Sequence, residues 1–234
     1  MISKSLTAGI EVSRMTDPQH ASQLSSILIN AFSHDEIFKI ECPDESSIND
    51  MKTETESTIE AIVQNTGPGG ASVWTAQTES GQIVGYAQWK HAVCLPDQDN
   101  EQYECSGSLL SAPELYGNLS AMKRAVLMKS TPFHHLEVLA VDPKSQAKGI
   151  GSLLVRTFSK ECGDIPIYCD ATAHVAPFYR RLGFQVLDSF SVPLTTESGT
   201  RESSIEIFCM ALEPKTVPPH ARHSPNGTRG PMNV

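Results

Sequence analysis

The stretch Val141–Val155, VDPKSQAKGIGSLLV, decides the reading of this chain. A short apolar run ends at Asp142-Pro143, a polar loop with two glycines follows, and an amphipathic segment begins. A strand that gives way to a helix in this manner leaves the first N–H groups of the helix without intrahelical partners. Glycine at that point lets another group come close to the backbone.

Three kinds of loop compete for QAKGIG (Gln146–Gly151). A P-loop requires GxxxxGK[ST], and no Lys-Ser/Thr follows the glycine pair here. A dinucleotide fingerprint requires GxGxxG soon after a first strand, and only Gly149 and Gly151 are present. The third kind is a loop whose amides cradle a pyrophosphate at a helix N-terminus, where the positive end of the macrodipole meets the anion.

Outward from this stretch the pattern alternates between periods. IEVSRMT (Ile10–Thr16) reads as a strand, and Asp17-Pro18 starts a helix that runs to Phe32 through Leu24, Ile27, Leu28 and Ala31. An acid-rich stretch from His34 to Glu60 contains a second helix, Ile48–Val63, which Asn65-Thr-Gly-Pro-Gly-Gly70 stops. Strands Ala71–Glu79 and Gln82–Val93 flank a Ser80-Gly81 hairpin. A long polar insertion, 94–131, holds one helix near Ala112–Lys129.

The strand Phe133–Val141 then feeds the opening loop and a helix from Gly149 to Cys162. Ile165–Cys169 is read as a strand, Ala176–Leu182 as a short helix ended by Gly183, and Phe184–Pro193 with Ser203–Leu212 as a closing strand pair. The expectation is a mixed α/β single domain over 1–213, followed by a disordered Pro-rich tail, 214–234. No internal repeat interrupts it.

Composition narrows the classes. Eighteen basic against twenty-seven acidic residues give a net charge of −9, which argues against a general nucleic-acid binder. No apolar run of membrane-spanning length occurs, and the N-terminus lacks the apolar centre of a signal peptide, so the chain is expected to be soluble and cytoplasmic. A nuclear location stays open. Cys42, Cys94, Cys105, Cys162, Cys169 and Cys209 show no CxxC spacing and no Cys/His cluster, which predicts reduced thiols and no metal site.

The motif strand–(Q/R)xxGxG–helix, here LAVDPKSQAKGIGSLLV (Leu139–Val155), resembles the acetyl-CoA-binding motif of the GNAT N-acetyltransferase superfamily. A second block, APFYRRLGF (Ala176–Phe184), resembles that family's other signature, and the element order over about residues 8–213 is also similar. The resemblance implies a central, mostly antiparallel mixed sheet flanked by helices, and acetyl-CoA as co-substrate. It implies pyrophosphate contacts from Gln146, Ala147, Lys148, Gly149, Ile150, Gly151 and Ser152, with Gln146 standing where Arg is common. Main-chain groups of Leu139, Ala140 and Val141 would hold the thioester and pantetheine arm, together with Thr172 and Phe178. Tyr179 matches the tyrosine that protonates the departing thiolate in many relatives.

Acetyl transfer from a thioester to an amine requires a neutral nucleophile, donors for the oxyanion and a proton for the thiolate. Strict alternation along FHHLEVLAV would put His135, Glu137, Leu139 and Val141 on one face, and His134, Leu136, Val138 and Ala140 on the core face. The strand lines the cleft in the family, which makes Glu137 the candidate base or water-orienting group and His135 its partner. Two cleft histidines at these positions in arylalkylamine acetyltransferases suggest that branch. His134 is expected at the surface or the core edge. Asp170 is a weaker candidate for orienting neighbouring groups, and Cys169 lacks the histidine partner an acyl-enzyme would need.

The acceptor is expected to be a small-molecule amine, bound by His34–Glu60 and the insertion. The acidity of both suits a cation. A lysine or N-terminal protein acetyltransferase and a non-catalytic acyl-CoA-binding domain remain alternatives. Monomer and homodimer are not distinguished by the sequence.

Overall fold

The computed structural model describes residues 7, 9–65, 70–93, 112–128, 132–194 and 203–214. Most of the predicted insertion and the predicted tail lie outside these residues, whereas the expected insertion helix lies within them.

Seven strands form one sheet: β1 (Ile10–Arg14), β2 (Ala71–Thr78), β3 (Ile83–Val93), β4 (Phe133–Val141), β5 (Ile167–Thr172), β6 (Gln185–Leu194) and β7 (Ser203–Leu212). Their spatial order is β1-β2-β3-β4-β5-β7-β6. Every neighbouring pair is antiparallel except β4 and β5. That parallel pair requires a crossover, which the helix α5 (Ile150–Glu161) supplies. The mixed sheet and its flanking helices are the architecture expected from the sequence.

The helices divide between the two faces. Leu154, Val155 and Phe158 of α5, with Ala176 and Tyr179 of α6 (Ala176–Leu182), pack on Trp74, Ala87, Trp89, Leu136, Cys169 and Met210. Phe158 stacks on Trp89, with ring centroids 3.8 Å apart. On the opposite face, Ala21, Leu24 and Ile27 of α1 (Ala21–Phe32) and Ile59 and Val63 of α3 (Glu45–Gln64) cover Val73, Ile83, Tyr86 and Ala140. The apolar spacing on α1 that predicts a helix is the spacing that faces this core. Asp44 and Ser47 form a capping box at the start of α3, which therefore begins earlier than its apolar period indicates.

Two further helices pack against each other beside the sheet. Helix α2 (Glu36–Glu41) was not expected, because its six residues are too short to show a period. The Asp35 side chain accepts from the N–H groups of Ile37 and Phe38 and starts it. Helix α4 (Ala112–Leu127) realises the expected insertion helix. Leu127, with Met128 just beyond the helix, joins Phe133, Tyr168, Phe190 and Ile207 in a third apolar cluster, which Ile37 of α2 also meets.

The expected alternation of β4 is overturned by a bulge. Val138 stands opposite Gln88 but Leu136 opposite Trp89, so Glu137 is an extra residue in β4. Leu136 therefore packs on the α5 face, as do Leu139 and Val141 beyond the bulge, while Val138 and Ala140 pack on the α1 face. Leu139 and Val141 thus face away from His135 and Glu137. His134 is also a correction: it is buried, with its ring edge-on to Phe158 at 5.3 Å.

Candidate active site

Strands β4 and β5 pair only at His134↔Ile167 and His135↔Tyr168. Beyond that point they diverge, and the wedge between them is the middle of a cleft of about 1230 Å³. The cleft runs from Ser145–Ala147 and Gly149–Ser152, past Leu136–Leu139 and Asp170–Val175, to Phe32, Asp35, Phe38 and Glu41 on the α1–α2 side. Divergence frees the facing edges of two strands, so a ligand carrying amide groups finds backbone donors and acceptors there.

At one end stands the loop between β4 and α5. Asp142 caps the turn Pro143–Ser145 through the Lys144 N–H. The Gln146 side chain then donates to the Val141 carbonyl at 3.1 Å, tying the loop back to β4. Ala147 has φ 59, a left-handed value uncommon outside glycine, and Gly149 follows at φ 84. These turns bring the chain into α5 with no side-chain cap at its N-terminus. An N-cap that offers no side-chain acceptor is the arrangement that suits a phosphate. A Cβ at Gly151 would lie 3.4 Å from the Phe178 ring, so glycine keeps α5 and α6 close at the cleft wall. Lys148 turns away from the cleft lining and donates to the Lys144 carbonyl.

In the wedge, Glu137 is bound by both neighbouring polar side chains of β3. Lys90 Nζ lies 2.6 Å from its Oε1, and Gln88 Nε2 donates to its Oε2 at 3.1 Å. The bulge produces this geometry by pushing Glu137 out of register beside Gln88. His135 lies behind it, with Nδ1 3.9 Å from Glu137 Oε1, and packs against the Tyr168 ring. It does not line the cleft, and neither does Ala140, which is buried under α1. Burial pushes the His135 imidazole down to about 3, with the charges of Arg124 and Lys90 adding to the effect. The ring is therefore neutral at physiological pH.

Tyr179 lines the cleft from the α5 side and is set between the rings of Phe178 and Phe184, at 5.0 and 5.2 Å. Glu137 and Tyr179 thus reach one cleft from opposite faces of the sheet, which is feasible only because the strands part between them. Leu139, Val141, Gln146, Ala147, Gly149, Ile150, Gly151, Ser152, Thr172 and Phe178 line the same cleft. Sequence reasoning missed the Glu137–Lys90 pair, since it depends on the register of β3 against β4. It also understated Asp170, which lines the cleft while accepting from Tyr168 Oη at 2.7 Å and Ser120 Oγ at 2.5 Å.

Comparison with known proteins bears on the fold that carries this cleft. The family model described as acetyltransferase (GNAT) domain matches residues 115–186, the span from within α4 to the start of β6. The histone acetyltransferase HPA2 and related acetyltransferase of Corynebacterium glutamicum is similar in fold, at TM-score 0.60 and 20% identity, covering 90% of this chain and 99% of its own. A mosquito arylalkylamine N-acetyltransferase like 5b aligns at TM-score 0.54 and 14% identity, with 87% of this chain and 98% of its own covered. The ribosomal-protein-S18-alanine N-acetyltransferase of Escherichia coli aligns at TM-score 0.50 and 15% identity, with 92% and 99% covered. No curated protein matches the sequence.

Residues 115–186 are similar to the GNAT acetyltransferase domain, the chain shares its fold with solved acetyltransferases, and both findings support acetyl transfer in general terms. GNAT acetyltransferases use acetyl-CoA as co-substrate. Among the described residues no group of His, Cys, Asp and Glu is arranged to hold a metal ion, and no helix is long and apolar enough to cross a membrane.

Proposed function

We propose that the protein is an acetyl-CoA-dependent N-acetyltransferase that moves the acetyl group directly to the primary amine of a small molecule. The observation that carries this reading is the single cleft shared by the uncapped start of α5, Glu137, Tyr179 and an apolar wall of Leu28, Phe32, Phe38 and Met51.

The N-terminal amides of α5 bind the pyrophosphate of the donor, favoured by the helix dipole and undisturbed by a competing cap. The parted edges of β4 and β5 hold its amide-bearing arm, which leaves the thioester in the wedge. Glu137 orients the water that takes the amine proton, and its ion pair with Lys90 fixes the carboxylate in place. His135 supports Glu137 from behind as a neutral ring. Tyr179 donates its phenolic proton to the departing thiolate. Holding both substrates in one cleft supplies the proximity that direct transfer needs.

The apolar wall favours an amine with a hydrocarbon body, and a cleft of this size accommodates a small molecule beside the donor. The test is calorimetric titration with acetyl-CoA, followed by thiol release across a panel of primary amines. Binding with turnover on one amine class establishes the reading. Absence of acetyl-CoA binding overturns it.

A further inference from the structure

We infer that Asp170 is the carboxylate that receives the ammonium group of the acceptor, and that Ser120 of α4 is the positioning residue that aims it. This rests on the cleft being the transfer site.

The last residues paired between β4 and β5 are His135 and Tyr168. Two positions further along each strand stand Glu137 and Asp170, at the two lips of the wedge and on the same face of the sheet. Both line the cleft. Their charges are met differently. Glu137 is neutralised by Lys90 at 2.6 Å. Asp170 accepts two hydroxyl donors, Tyr168 Oη on Oδ1 and Ser120 Oγ on Oδ2, with the neutral Cys209 thiol also against it, and among the described residues no Lys, Arg or His pairs with it.

Two hydroxyl dipoles stabilise an anion without cancelling its charge. A carboxylate in a half-buried wall with no counter-ion is therefore completed by a cation from solution. An amine entering the cleft as ammonium meets at Glu137 a charge that Lys90 already neutralises. At Asp170 it meets a charge held only by neutral donors, with lone pairs left on the carboxylate oxygens.

The two hydroxyls also fix where that lone pair points. Tyr168 is fully buried and belongs to the scaffold. Ser120 comes from α4, which is pinned by the apolar cluster at its end and by the Lys123–Asp188 ion pair. The insertion helix thereby reaches the acceptor through a single hydrogen bond. Asp170 holds the amine in its charged form, and the proton is lost afterwards, in the step assigned to Glu137.

The test uses the full chain with CoA present. Calorimetry measures the binding of benzylamine, tryptamine and spermidine to wild type, Asp170→Asn, Ser120→Ala and Ser120→Thr, with benzyl alcohol and tryptophol as uncharged counterparts. Asp170→Asn is expected to weaken binding of the amine that wild type prefers by about tenfold or more, the loss of one charge-assisted contact, and to leave alcohol binding unchanged. Ser120→Ala weakens the amine several-fold, Ser120→Thr restores it, and acetyl-CoA affinity is the same in all variants. In turnover the change falls on KM for the amine.

Equal loss of amine and alcohol, or amine binding unaffected by Asp170→Asn, overturns the inference. So does a wild type that binds none of the amines, and intact acetyl-CoA binding would then leave the transferase reading standing. Amine binding that depends on Asp170 without any acetyl transfer supports the inference while sinking that reading.

Discussion

The proposed function gives Glu137, Tyr179 and Gly149 different tasks, and single substitutions separate them. Glu137→Gln keeps one acceptor oxygen and the side-chain shape, but removes the charge proposed to draw the proton relay and can no longer accept from both Lys90 and Gln88. Its kcat is expected to fall by about 10²-fold or more with acetyl-CoA affinity unchanged, as single-turnover rates and calorimetry would show. Tyr179→Phe preserves the packing against Phe178 and Phe184 and deletes only the hydroxyl. A comparable fall in kcat, with the melting temperature close to wild type, is expected. Gly149→Ala places a side chain at φ 84, at a cost of about 1–2 kcal/mol, and weakens acetyl-CoA binding by disturbing the loop; chemical denaturation and calorimetry read the two effects. The placement of residues inside the two motifs was legible because it follows from local backbone geometry. Lys90 and Ser120 were not, since nothing local marks either as the partner of Glu137 or Asp170.

Among the elements, β4 shows best how much a pattern can carry. Its ends, Phe133 and Val141, agree with the sequence reading, as do those of α6 and β7. The one extra residue at Glu137 still reverses the faces of everything after it. Bulges have no strong composition signal here, so a strict two-residue period assigns Leu139 and Val141 to the wrong side. Helix α5 is the element that joins the donor loop to the core. Phe158→Ala would remove the ring stacked on Trp89 and leave a cavity between α5 and the sheet, a loss of about 3–5 kcal/mol. A lowered denaturant midpoint with an unchanged slope would establish it.

At the scale of the molecule, seven strands and helices on both faces bury or half-bury three histidines whose titration falls below the ordinary range. His135, His134 and His91 are each lowered first by burial. His135 is also faced by Arg124 of α4 and Lys90 of β3, with Glu137 on its own strand. A base whose folded value lies below its unfolded one binds fewer protons when folded. Its stabilising contribution is thus complete above pH 6.5 and is lost as pH falls from there towards about 3 for His135. That residue alone removes on the order of 2 kcal/mol by pH 5. Melting temperatures from pH 8 to pH 5 should fall, and His135→Gln should flatten the slope.

By itself the sequence determined the order of the seven strands and of every α-helix but α2, the glycine loop that enters α5 at Gly149 and the family that loop resembles. Each of these is local, being set by the period of apolar residues and by turns that only certain residues make. The tertiary structure alone decided where charge meets charge. The β3–β4 register pairs Glu137 with Lys90, the bulge sorts the β4 side chains between two cores, and the parting of β4 from β5 opens one cleft to Tyr179 and Asp170 from opposite faces. Those contacts join residues far apart in the chain, and register and divergence are properties of packed strands that no single segment encodes.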